Sequence, residues 1–183
     1  MEADVEILPE GDLQRRYLLR IFATTGSRSF PFDRLVRAID GVDFASVLPG
    51  GAEVFVQTGS GSYKPRNVEW AAFLSREEFG HRMESAELVI THGGTGAIVS
   101  AVSRGKRVVA VPRLARFGEA VDDHQVELVR QFEEMGLIKG CFDLGRLAKD
   151  IIQAAQMTFV SYRSNTATIL KSIDEFISTE VIR

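Results

Sequence analysis

The chain has 183 residues, 45% apolar and 26% charged, with 22 Lys+Arg against 25 Asp+Glu for a formal charge of −3. This suits one globular domain with a real core and excludes wholesale disorder, a collagen-like chain and a disulfide-rich mini-protein. The lack of a basic excess argues against nucleic acid as a partner, and one cysteine, Cys141, forms no internal bridge, so a reducing, cytoplasmic setting is expected.

Residues 1–19 read as an acidic N-terminal extension, partly disordered, ahead of one domain over 20–183. Arg20–Thr25 then predicts a first strand, and Pro31–Asp40 a helix with proline in its first turn and Gly41 just past its end. Ala52–Thr58 and Val68–Phe73 predict the second and third strands. Ser75 followed by Glu78 is a capping box that opens a helix running to about Ala86. Glu87–Thr91 predicts a fourth strand whose Leu-Val-Ile centre suits burial on both faces. Ala97–Arg104 predicts a helix stopped by Gly105, Arg107–Val111 a fifth strand stopped by Pro112, and Asp122–Met135 a long helix stopped by Gly136. Leu137–Phe142 predicts a sixth strand, followed by helices over Leu144–Met157 and Asn165–Ile177. In the last helix Ile169, Leu170, Ile173, Phe176 and Ile177 share one stripe, suited to the core or to a partner chain. Apolar runs such as Leu88–Ile90 and Val108–Val111 fall far short of the ~20 residues a membrane span needs, and Met1–Gly11 lacks the apolar centre of a leader.

Strand–helix alternation on this spacing predicts an α/β fold: a Rossmann-like, mostly parallel sheet with helices on both faces. Ligands then sit where the loops after the strands converge. Three such loops are polar or glycine-rich: Thr24–Ser29, His92–Gly96, and Pro112–Val121 leading into Asp122-Asp123-His124-Gln125. In Gly93-Gly94-Thr95-Gly96, three glycines between a buried strand and a helix suit close approach of backbone N–H groups to a phosphate or diphosphate. The same glycines also suit a tight turn with close helix–sheet packing. The run lacks the third glycine of a dinucleotide fingerprint and the Gly-Lys-Ser/Thr of a P-loop. His92 and His124 both fall at the ligand edge, while no His/Cys/carboxylate set has metal-ligand spacing. Asp122 and Asp123 suit either a cation or helix capping. No cofactor is expected.

The runs Val89–Ile98, Gly105–Arg113 and Phe117–Gln125, together with Thr25-Gly26-Ser27, Phe30–Leu35 and Tyr63-Lys64-Pro65, resemble the C-terminal, donor-binding half of glycosyltransferase family 28. More narrowly they resemble the bacterial PssE-type polysaccharide glycosyltransferase subunits, which are similar to the catalytic subunit of the eukaryotic dolichol-diphosphate GlcNAc transferase. The resemblance implies one half of a GT-B enzyme that holds a UDP-sugar. It implies that Gly26 and Ser27, with Gly93, Gly94, Thr95 and Gly96, hold the diphosphate, and His92 at the ligand edge is a further donor-binding candidate. Phe73 and Leu74 would meet the uracil, and His124 and Gln125, beside Asp123, the donor sugar. Many relatives carry a ribose-binding glutamate where this chain has Ser100, which leaves the ribose contact to Ser100 or Glu119.

No Asp-x-Asp motif of the kind metal-dependent transferases use is present, so no metal is expected. One domain's length supplies one wall of a GT-B cleft. The resemblance therefore implies a membrane-associated, acceptor-binding partner subunit that presents a lipid-linked saccharide and recruits the chain to the inner face of the membrane. The catalytic base is then on the partner or is His124. The expected function is UDP-sugar-dependent transfer, with inversion, to a lipid-diphosphate-linked saccharide in exopolysaccharide synthesis. The alternative is a non-catalytic, nucleotide-sugar-binding accessory subunit.

Overall fold

Among the described residues, six strands form one parallel sheet in the order β3-β2-β1-β4-β5-β6. They are β1 (Leu19–Thr24), β2 (Ala52–Gln57), β3 (Glu69–Ala71), β4 (Leu88–His92), β5 (Arg107–Val111) and β6 (Lys139–Gly140). The computed structural model describes residues 18–164. Most of the predicted N-terminal extension and the predicted helix Asn165–Ile177, with its stripe, lie outside the described residues.

The central strands are apolar on both faces because both are covered. Ile21 and Ala23 of β1, Leu88 and Ile90 of β4, and Val109 and Val111 of β5 join one core with Phe32, Leu35, Val36 and Ile39, and with Leu147, Ile151 and Ala154. The residues between them, Phe22, Val89, Val108 and Ala110, join a second core with Met83, Ile98, Ala101, Val102 and Val129. This is the period-2 alternation of a strand buried twice. Helices α1 (Asp33–Asp40) and α6 (Leu147–Gln156) therefore cover one face. Helices α3 (Arg76–Ser85), α4 (Thr95–Val102) and α5 (His124–Glu134) cover the other.

Several boundaries differ from the sequence expectation, each for a local reason. Helix α1 starts at Asp33 with Phe32 as its N-cap, so Pro31 stands outside the helix. The capping box is as predicted: Glu78 N–H donates to Ser75 Oγ at 3.2 Å and Ser75 N–H to Glu78 Oε2 at 2.9 Å. Helix α4 begins at Thr95, inside the glycine run, because the Gly94 carbonyl accepts from both Ala97 and Ile98. Helix α5 begins at His124, since the Asp122 carboxylate folds forward to take His124 N–H at 3.1 Å. The predicted helix from Leu144 opens as a 3-10 turn, Leu144–Arg146, before α6. A short helix α2 (Phe44–Val47) and a 3-10 turn at Ala115–Phe117 carry no periodic apolar signal and are absent from the sequence expectation.

Candidate active site

Strands β1 and β4 are neighbours whose onward connections run to opposite sides, β1 toward β2 and β4 toward β5. Their outgoing loops diverge and leave a crevice at the carboxyl edge, the usual ligand position in this topology. A cavity of about 1060 Å³ opens there. The loops after β1 and β4, the start of α3 and the β5–α5 loop all border it. Gly26, Ser27, Phe73, Leu74, His92, Gly94, Thr95, Gly96, Ser100, Glu119, His124 and Gln125 line it, whereas Gly93 and Asp123 do not.

His92 ends β4 and lines the crevice. Its ring lies between two glycines: a Cβ on Gly26 would sit 2.6 Å from His92 Cε1, and one on Gly94 would sit 2.5 Å from Nε2. Gly26 also has φ +83°, which L side chains rarely adopt. Burial, aided by the nearby Arg113 guanidinium, pushes the His92 pKa down to about 4. The ring is therefore neutral at neutral pH and offers one donor and one acceptor. This has a measurable consequence. The unfolded chain takes up this proton near pH 6.5, while the folded chain resists it until about pH 4. Stability should fall as pH drops through that window, by roughly 3 kcal/mol from this group alone. Denaturant unfolding of wild type and His92→Asn between pH 7 and 4 should show a flatter profile for the variant. Parallel profiles would mean that the ring does not carry the effect.

The glycine run divides into three roles. A Cβ on Gly93 would meet Val129 Cγ2 at 2.8 Å and Gln125 Cβ at 3.0 Å, so this glycine lets α5 pack against the turn. Gly94 makes room for His92. At Gly96 a Cβ would meet nothing within 4 Å, so its bare backbone faces open space in the cavity. With Ala97 and Ile98 bonded to Gly94, the Thr95 and Gly96 amides remain as orphan donors of the helix start. They add to the positive end of the α4 dipole.

The β5–α5 loop is stapled from within. Three consecutive amides are each taken by a side chain: Arg113 N–H by Gln125 Oε1 at 3.1 Å, Leu114 N–H by Glu119 Oε2 at 3.0 Å, and Ala115 N–H by Asp123 Oδ1 at 2.8 Å. Glu119, 3% exposed, also takes Arg34 Nε at 2.9 Å and Nη2 at 2.8 Å. Both its oxygens are thus engaged within the protein, at the edge of the cavity that Glu119 also lines. Asp123 is likewise turned to the loop and away from the cavity. Gln125 keeps its oxygen on the loop and presents its amide protons as donors. His124 is exposed and lies 3.8 Å from Glu127. Ser100 Oγ accepts from Arg104 Nη1 at 2.8 Å.

Arg113 is a cavity-lining residue that the sequence expectation omitted. It is 2% exposed, lines the cavity, and donates from Nη2 to the Thr25 carbonyl. Its position directly after Pro112 at the end of β5 was the available signal. Arg28, Phe30 and Arg76 border the same cavity. Among the described residues, no group of three or more His, Cys, Asp or Glu side chains is placed to hold a metal.

The sequence pattern described as the glycosyltransferase family 28 C-terminal domain matches residues 20–179. The chain is 27% identical over 129 residues to the UDP-N-acetylglucosamine transferase subunit ALG13 of Mus musculus, covering 67% of this chain and 10% of that protein. It is 27% identical over 120 residues to the ALG13 subunit of Yarrowia lipolytica, covering 61% of this chain and 59% of that one. Among solved structures, the calicheamicin glycosyltransferase CalG4 superimposes with a TM-score of 0.59 at 17% identity, over 89% of this chain and 43% of that one. MurG of Acinetobacter baumannii superimposes with a TM-score of 0.57 at 18% identity, over 93% of this chain and 55% of that one. These superpositions show the shared Rossmann-like fold of one half of such enzymes.

Proposed function

The chain belongs to the glycosyltransferase family 28 C-terminal domain family, and from that premise we propose that it is the donor-binding, catalytic subunit of a two-component, UDP-sugar-dependent glycosyltransferase. The observation that carries this reading is the crevice between β1 and β4. There the orphan amides of Thr95 and Gly96, the Gly26–Ser27 turn and the buried Arg113 converge on one space. Fixed donors and a positive helix end suit a diphosphate whose charge grows as the glycosidic bond breaks. Phe73 and Leu74 border the same cavity and offer an apolar contact for a base. His124 and Gln125 border its β5–α5 side, where the donor sugar would lie.

In the reaction, an acceptor hydroxyl oxygen attacks the anomeric carbon. The bond from that carbon to the diphosphate oxygen breaks and UDP leaves. The hydroxyl proton passes to a base, either His124 or a partner's side chain, and attack opposite the leaving group inverts the anomeric centre. The acceptor is a lipid-diphosphate-linked saccharide in exopolysaccharide synthesis, presented by a membrane-associated subunit that recruits this chain to the inner membrane face. One fact supports a partner: the curated relatives are themselves described as subunits. Among the described residues no helix is long and apolar enough to cross a membrane.

The test has two stages. A thermal-shift panel of nucleotides and nucleotide sugars should show stabilisation by UDP-sugars, about 2.7 kcal/mol for a ligand at ~100 times its Kd. Transfer to a lipid-linked acceptor should then be near zero for the isolated chain and appear when the membrane-associated subunit is co-expressed, since a near-attack geometry needs both walls. Absence of UDP binding would remove the donor reading. Rapid transfer by the chain alone would remove the partner, and binding without transfer under either condition would leave an accessory subunit.

A further inference from the structure

We propose that the Arg34–Glu119 ion pair is a positioning device that sets the β5–α5 loop, and with it His124 and Gln125, in the geometry that engages the donor sugar. This inference rests on the donor reading above. Arg34 is on α1, after β1, and Glu119 is in the loop after β5, so the pair ties the βα unit of β1 to that of β5. Arg34 holds the loop at two points. Its Nε and Nη2 form a fork on the Glu119 carboxylate, and Nη2 also donates to the Pro112 carbonyl at 3.3 Å, where β5 ends. Its guanidinium lies 5.4 Å from the centroid of Phe32 and 4.9 Å from that of Phe117.

The loop needs such a brace because little apolar burial shapes it. Of its large apolar side chains, Leu114 is half-buried while Phe117 and Val121 are 53% and 84% exposed. Its form comes instead from polar contacts: the three stapled amides, and Gly118 at φ +69°, where the chain reverses so that Glu119 returns to Leu114. Glu119 is the only one of the three stapling side chains that is also tied to another element by an ion pair among the described residues. A planar, two-pronged contact of this kind calls for arginine, because a lysine ammonium makes only a point contact.

The full chain carrying Arg34→Met, Arg34→Lys or Glu119→Gln would be compared with wild type in two measurements. The first is amide hydrogen exchange at Arg113, Leu114 and Ala115, with Val89 and Ile90 of β4 as internal controls. The second is the Kd for UDP and for the tightest of UDP-glucose, UDP-galactose, UDP-N-acetylglucosamine and UDP-glucuronate. Arg34→Met and Glu119→Gln should speed exchange of the three loop amides at least tenfold and leave β4 unchanged. They should weaken the UDP-sugar at least tenfold and UDP less than threefold, and Arg34→Lys should restore little of either. Wild-type protection of the loop amides in Arg34→Met, equal weakening of both ligands, or full rescue by lysine would overturn the proposal. If Arg34→Met does not fold, Glu119→Gln and Arg34→Lys decide it on the same criteria. Failure of wild type to bind any of the five ligands would instead count against the donor reading, and the exchange data would still show whether the pair braces the loop.

Discussion

Gly94→Val should lower UDP affinity by more than a hundredfold while the chain still folds. The backbone at Gly94, φ −81° and ψ 130°, is open to any residue, so the effect is steric. A Cβ there would lie 2.5 Å from His92 Nε2 and 2.9 Å from Cδ2. The ring has nowhere to retreat, because Gly26 closes on its other side. Either the ring is driven into the cavity or the turn moves away with the Thr95 and Gly96 amides, and both outcomes spoil the anion site. Overpacking of this kind costs about 1–3 kcal/mol of stability, short of unfolding an ordinary domain. Gly96→Ala is the companion variant. Nothing lies within 4 Å of its added methyl, so stability should hold within about 0.5 kcal/mol while UDP binding weakens, since the methyl enters the cavity beside the amides. Calorimetric titration with UDP and denaturant unfolding check both variants. Wild-type affinity in a folded Gly94→Val chain would place the diphosphate elsewhere.

Asp40→Ala should destabilise the fold by about 2–4 kcal/mol at pH 7. Asp40 closes α1 and is 4% exposed. Its carboxylate accepts from Tyr63 Oη at 2.6 Å, Arg66 N–H at 3.0 Å and Asn67 N–H at 2.7 Å. Burial by itself would raise its pKa, but the bonds from Tyr63, Asn67 and Arg66 outweigh burial and hold it below the ordinary carboxylate range. A carboxyl depressed in the folded chain contributes stability that is complete above its unfolded pKa of about 3.9 and is lost as pH falls through the folded value. The gap between wild type and Asp40→Ala, measured by urea unfolding, should therefore be widest at pH 7 and narrow below pH 4. A gap of constant size down to pH 2.5 would show that shape, not charge, holds the contact. The segment tied down by Asp40 leads into β3 and on to Phe73 and Leu74, so the variant should also weaken nucleotide binding.

How much of the site was legible in the sequence follows from parallel-sheet geometry. Every strand of a parallel sheet delivers its outgoing loop to the same edge, so Gly26, Ser27, His92 and the Gly94–Gly96 turn could be gathered from chain order alone. The two-faced core was legible for a similar reason: the unbroken Leu88-Val89-Ile90 run of β4 marks a strand covered on both sides. Short elements without a period, such as α2 and the 3-10 turn at Ala115–Phe117, carried no such mark.

The sequence by itself therefore determined the alternation of strands and helices, the edge at which a ligand would sit and the family resemblance, because these depend on local periodicity and on residue types in order. Tertiary structure alone decided what the polar residues at that edge do. A glutamate or aspartate in a loop reads equally well as a ligand or as a staple until distances exist. Glu119 meets Arg34 across 85 positions of chain, and Asp123 turns back to Ala115. The three glycines of one turn were likewise equivalent as letters. Only packing separates Gly93 under α5, Gly94 against His92, and Gly96 facing open space. The physical reason is common to all of these: periodicity is a property of neighbours along the chain, whereas a hydrogen-bond partner or a steric limit is set by whatever the fold brings within 3 Å.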